Sequence, residues 1–148
     1  MSRFVLCFAL VLFVSGAVSA QEIEVDQAWI REPPPGTNAA GYMTIHNPGG
    51  VSRQLTGVRS DAAERIELHR TIVEDGVARM HPVDAVEIPA GGQVAFEPKG
   101  LHLMLIRPVP MKEGDEIELV LELDGDEYVA VQAPVRREQA SEHDHGHH

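Results

Sequence analysis

Leu101-His102-Leu103-Met104-Leu105-Ile106 is short, apolar and alternating, and so reads as a β-strand. Side chains alternate between the two faces of a strand. Leu101, Leu103 and Leu105 therefore share one face, an ordinary core face. His102, Met104 and Ile106 share the other. An imidazole and a thioether side by side form a soft ligand set, suited to copper. Taken alone, His-x-Met matches many chains by chance, and a half-buried His beside a packing Met explains it as well. Its meaning depends on whether the rest of the chain supplies more ligands of the same kind.

Working outward, the same alternation recurs in short runs separated by turn residues. Ile23–Asp26 opens a strand that runs towards Ala28–Arg31, and Pro33-Pro34-Pro35-Gly36-Thr37-Asn38 follows as a rigid loop. Ala39–His46 is a second strand, closed by Asn47-Pro48-Gly49-Gly50. Further strands are expected at Gln54–Val58, Ile66–Val73, Val77–His81, Val86–Ile88, Val94–Phe96, Ile117–Leu123 and Tyr128–Val135. Ser60–Glu64 reads as a turn or a single helical turn. No helical period extends over a useful length. Eight or more short strands with regular turn signals predict an all-β sandwich or barrel of about eight strands.

The N-terminus has a different character. Arg3 precedes an apolar run from Phe4 to Val14, and Val18-Ser19-Ala20 offers small residues for cleavage after Ala20. This is the pattern of a secretory signal peptide over residues 1–20. No later segment is apolar enough for a membrane-spanning helix, so no membrane span is expected once the signal is removed. The only cysteine, Cys7, lies inside the signal. A secreted domain over residues 21–135 then folds without disulfides and offers a metal no thiolate. That excludes a blue-copper centre, which needs Cys. Loss of Arg3 removes one of 12 basic residues against 23 acidic ones, leaving the chain slightly more negative than its full-length −11. Such a surface repels nucleic acid, and no nucleic-acid partner is expected.

Asp75-Gly76 supplies the missing ligands. The dipeptide marks a two-residue hairpin turn. It pairs Glu74 with Val77, Val73 with Ala78 and Thr71 with Met80. His69 shares a face with Thr71, so His69 and Met80 become diagonal neighbours within reach of one another. A slip of one residue would put them on opposite faces. The chain thus offers two His–Met pairs, His69 with Met80 and His102 with Met104. Two imidazoles and two thioethers favour Cu(I) over zinc, calcium or magnesium.

Ten residues lie between His69 and Met80, 21 between Met80 and His102, and one between His102 and Met104. This spacing resembles the H(M)x10Mx21HxM signature of the periplasmic PCu(A)C copper chaperones. The resemblance extends through Ala28-Trp29-Ile30-Arg31, Tyr42-Met43-Thr44-Ile45, Asn47, Ile66-Glu67-Leu68-His69, Ile88-Pro89-Ala90-Gly91-Gly92, Gly100–Met104 and Gly114-Asp115. It implies a cupredoxin-like β-sandwich in the periplasm or another extracytoplasmic space, with an exposed Cu(I) site. It also implies delivery of copper to the dinuclear centre in the copper-binding subunit of cytochrome c oxidase, in company with Sco-type copper proteins. The family often carries Met directly after the first His, where this chain has Arg70. By alternation Arg70 points away from His69.

Other histidines and methionines have plainer expectations. His46 is a surface or hydrogen-bonding His, and His81 faces away from Met80. Met43 and Met111 pack, and Trp29 anchors the core. Residues 136–148 carry almost no apolar side chain and read as a disordered tail. His143, His145, His147 and His148, interleaved with Glu142 and Asp144, form an auxiliary tract suited to Cu(II). Besides a chaperone, the pattern admits a periplasmic copper buffer or resistance protein that relies on this tail. An electron-transfer cupredoxin is disfavoured by the missing Cys. No nucleophile motif or spaced carboxylate–His set suggests an enzyme.

Overall fold

The computed structural model describes residues 22–137, and these contain ten strands and no helix. They are β1 (Glu24–Arg31), β2 (Ala39–Asn47), β3 (Arg53–Arg59), β4 (Ala63–Glu74) and β5 (Val77–Pro82). Then follow β6 (Val86–Ile88), β7 (Gly92–Phe96), β8 (Leu101–Pro108), β9 (Glu116–Leu123) and β10 (Glu127–Arg136). The all-β class is as the alternation predicts, and the ten strands overlap the ten stretches read as strands, two more than the rough total of about eight. The signal peptide and the histidines of the tail lie outside the described residues.

The strands form one hydrogen-bonded path, β5-β4-β8-β2-β1-β10-β9-β3-β6, with β7 joined to β2. Pairing is antiparallel except between β1 and β10, where Ile30 meets Val135 and Arg31 meets Arg136 in parallel. A single apolar cluster joins both ends of the path. Leu68, Leu103, Leu105 and Ile45 come from one part, and Leu55, Leu119, Leu121 and Val135 from the other. Leu103 and Leu105 are fully buried, so the leucine face of the 101–106 strand is a core face. Each such leucine contributes roughly 1.5–3 kcal/mol through burial. Asn47, buried at the end of β2, donates from Nδ2 to the carbonyls of Val51 and Ile88 and accepts from the Gly49 amide. It ties the β2 exit loop to β6.

Most strand boundaries differ from the sequence reading by one to three residues, and two of them are instructive. Strand β4 begins at Ala63, before the apolar run from Ile66, and Asp61 and Ala62 form a turn with no helical turn. The cause is a long-range ladder. Ala63 and Arg65 pair with Pro108 and Ile106 of β8, and the Ala62 carbonyl accepts from the Val109 amide at 2.8 Å. Strand β10 runs through Arg136, and Arg137 follows with Nε 2.6 Å from a Glu32 oxygen. Charged pairing rather than apolar burial holds this end, so hydrophobicity alone does not reveal it.

Candidate metal centre

The hairpin has the register that its turn dictates. Asp75 and Gly76 both have positive φ, 51° and 75°, as a type I′ turn requires. Glu74 pairs with Val77, Val73 with Ala78 and Thr71 with Met80. His69 sits opposite Pro82, so Met80 is its diagonal neighbour. On its other side β4 pairs with β8, and there His69 stands directly opposite His102, with Glu67 opposite Met104. The structure thus brings the two imidazoles together across one ladder step, ring centroids 5.7 Å apart. Met104 lies one step along on the same face, and Met80 flanks His69 from the edge strand β5. Ile106 stands opposite Arg65, two residues beyond Met104.

Hydrogen bonding fixes which nitrogen of each ring carries a lone pair. His69 Nε2 lies 2.8 Å from Glu67 Oε2. An ionised carboxylate only accepts, so Nε2 carries the proton, and in the neutral ring Nδ1 keeps the lone pair. His102 Nδ1 lies 3.1 Å from the Gly100 carbonyl oxygen, which likewise only accepts. Its proton is on Nδ1 and its lone pair on Nε2. Those two lone-pair atoms, His69 Nδ1 and His102 Nε2, are buried and have no hydrogen-bond partner. Buried nitrogens are ordinarily satisfied, and leaving one unpaired costs about 1–3 kcal/mol. Two such atoms on facing rings suit a cation that accepts both lone pairs.

The donor set points to a soft ion. Among the described residues no group of three or more His, Cys, Asp or Glu is placed to hold a metal. Strand register places two further donor-bearing residues beside the imidazoles, Met104 next to His102 on β8 and Met80 diagonal to His69 on β5. Exposure is graded, with Met104 half-buried. His102 is 4% exposed, the His69 side chain 15% and Met80 58%. Glu67 takes bonds on both oxygens, from His69 and from Arg65 Nε at 2.8 Å. These bonds, His69 first, hold its carboxyl below the usual carboxylate range.

The other residues singled out in the sequence lie outside the cluster. His46 Nε2 is 3.1 Å from Asp26 Oδ2, a surface ion-pair geometry. His81 pairs in register with Arg70, on the face of β5 opposite Met80, and its Nε2 is 3.6 Å from Glu74. Met43 and Met111 are core residues. Trp29 is half-buried and packs its ring 4.8 Å from that of Tyr42. Sequence reasoning missed two features of the site. One is the direct facing of His69 and His102, which depends on strands far apart in the chain. The other is Glu67, whose position two residues before His69 on the same strand was an available signal.

Known proteins resemble this architecture. A protein of Leifsonia xyli subsp. xyli described as "Putative lipoprotein Lxx21020" is 29% identical over 119 residues, covering 79% of this chain and 71% of its own. Among solved structures, the Cu(I) form of DR1885 from Deinococcus radiodurans superposes with a TM-score of 0.67 at 27% identity, covering 82% of this chain and 83% of that one. A copper-bound PCuAC domain from PmoF2 shares the fold with a TM-score of 0.67 at 24% identity, over 80% of this chain and 96% of that one. The family model "Putative lipoprotein LpqE-like" matches residues 23–135. On that match, which spans most of the sequence, the chain belongs to the LpqE-like family.

Proposed function

We propose that the chain is an extracytoplasmic copper chaperone that carries Cu(I) between His69, Met80, His102 and Met104. The observation that supports this most is the pair of buried, unpartnered lone-pair nitrogens on facing rings. Likeness to the Cu(I) form of DR1885 and to a copper-bound PCuAC domain supports the choice of metal. A carrier must release its cargo, and the graded exposure suits that. The histidines sit inside, while Met80, on an edge strand and largely exposed, is the ligand an acceptor reaches first. Thioether donors need no deprotonation and resist disulfide chemistry, which fits an oxidising compartment. The expected signal peptide over residues 1–20 leads there.

The recipient follows from the resemblance stated above: the dinuclear copper centre of cytochrome c oxidase, with a Sco-type protein acting beside it. Incubating the Cu(I)-loaded protein with an apo oxidase copper domain tests this. Copper is expected to appear in the acceptor, and more slowly from a Met80→Ala variant if Met80 is the exit ligand. Copper that stays with the carrier at equilibrium, with the acceptor in excess, would favour a buffer instead.

The histidine tract His143, His145, His147 and His148 supports a second, auxiliary role in gathering Cu(II). Truncation before His143 is expected to lower Cu(II) uptake and leave Cu(I) binding in the core intact. Unchanged Cu(II) stoichiometry after truncation would refute that role.

A further inference from the structure

We propose that Glu67, anchored by Arg65, is a positioning residue that holds the His69 ring so that Nδ1, and not Nε2, meets the cargo ion. The inference rests on the copper reading above and adds which nitrogen binds and what fixes it. Arg65, Glu67 and His69 alternate along β4 and so share a face, opposite Ile106, Met104 and His102 of β8 in turn. Along that face runs a continuous hydrogen-bonded chain. Arg65 Nε donates to Glu67 Oε1 at 2.8 Å, and His69 Nε2 donates to Glu67 Oε2 at 2.8 Å.

Each end of the chain has a consequence. At the His69 end, a nitrogen that donates to a carboxylate cannot ligate a cation without breaking that bond. Its partner Nδ1 is left buried and unpaired. At the Arg65 end, the guanidinium fixes the carboxylate from the far side. Both oxygens of Glu67 have partners, so Glu67 acts through His69 rather than as a ligand itself. A carboxylate behind a ligating imidazole fixes its tautomer and orientation and raises its basicity, and removing such a partner typically lowers metal affinity 10–100-fold. His102 reaches the same result by a different route, with the Gly100 carbonyl as its anchor. The two neighbouring rings therefore leave unlike nitrogens unpaired, Nδ1 of His69 and Nε2 of His102.

Long-range ¹H–¹⁵N correlation spectra of the full ¹⁵N-labelled protein test this, without metal and then with Cu(I). Parent, Glu67→Gln and Glu67→Ala proteins are compared. In the metal-free parent, His69 should be protonated at Nε2. On Cu(I) addition the Nδ1 resonance should shift while the Nε2 proton is retained. Glu67→Gln should keep that tautomer, because the amide oxygen still accepts from Nε2. Glu67→Ala should show mixed tautomers and a Cu(I) affinity roughly 10–100-fold lower. A merely structural Glu67 would instead lower the thermal midpoint in Glu67→Ala and leave the tautomer as in the parent. Three results would overturn the proposal: an Nδ1-protonated His69 in the metal-free parent, Cu(I) bound at Nε2, or a Glu67→Ala protein with parental tautomer and affinity. A correct metal-free tautomer with neither His69 nitrogen responding to Cu(I) would sink the copper reading, and the positioning role with it.

Discussion

At the scale of the residue, the site is built from atoms that the fold leaves unsatisfied. His102 is buried with Nε2 unpartnered, a state that disfavours the metal-free protein. Its one anchor, the Gly100 carbonyl, also accepts from the Thr71 amide at 3.1 Å and so does not depend on His102. Replacing His102 with leucine should remove a Cu(I) ligand and lower affinity at least tenfold. It should not lower the urea midpoint of the metal-free protein, and could raise it by the equivalent of about 1 kcal/mol, because an unpaired polar atom leaves the interior. Urea unfolding of the two metal-free proteins, beside Cu(I) competition, checks both parts. A strongly destabilised variant would show that His102 is there for packing. The four proposed ligands were legible in the sequence because their spacing and alternation are local properties. The protonation pattern was not, since it depends on Glu67 and on a carbonyl that only the folded chain brings into place.

At the scale of the element, the Asp75-Gly76 turn decides where Met80 points. A side chain at Gly76 meets open space, so substitution there costs only the strain of its left-handed backbone. Gly76→Val should therefore destabilise by about 1–2 kcal/mol. It should also weaken Cu(I) binding, since the register that aims Met80 is loosened. Asn47 offers the contrasting control. Its three hydrogen bonds hold the β2 exit, so Asn47→Ala should cost about 1–3 kcal/mol, chiefly by leaving the buried Ile88 carbonyl unpaired. Copper affinity measured well below the unfolding transition should stay parental, because β8 and the hairpin are untouched. Hairpin register was readable from sequence because two adjacent residues set it. The pairing of β4 with β8 was not, because 26 residues separate the end of β4 at Glu74 from the start of β8 at Leu101 and no turn links those strands directly. The parallel contact of β1 with β10 joins opposite ends of the domain and has no local signal at all.

At the scale of the whole molecule, ion pairs between distant segments close the domain and give its stability an acid limb. Arg53 bonds Asp124 at 2.9 Å and Glu127 at 2.8 Å, fastening β3 to the turn after β9 and to the start of β10. That hydrogen bond from Arg53 holds the Asp124 carboxyl below its ordinary value. Folding therefore favours the ionised form. The contribution is present above the ordinary Asp range and is lost as pH falls through the lowered pKa. Asp124→Asn should flatten this part of a plot of urea midpoint against pH, more visibly at low salt because the pair is solvent-exposed. An unchanged slope would mean that other carboxylates, such as Glu32 beside Arg137, dominate the limb. The all-β class followed from short alternating runs and the turn signals between them, yet the meeting of His69 with His102 is a property of the assembled sheet. The central claim concerns that meeting, and Cu(I) titration against a competing chelator tests it most directly. The parent should take up one Cu(I) per chain at the core, and His69→Ala and Met104→Ala should each bind it at least tenfold more weakly. If both variants hold Cu(I) as tightly as the parent, the two-His, two-Met site is wrong.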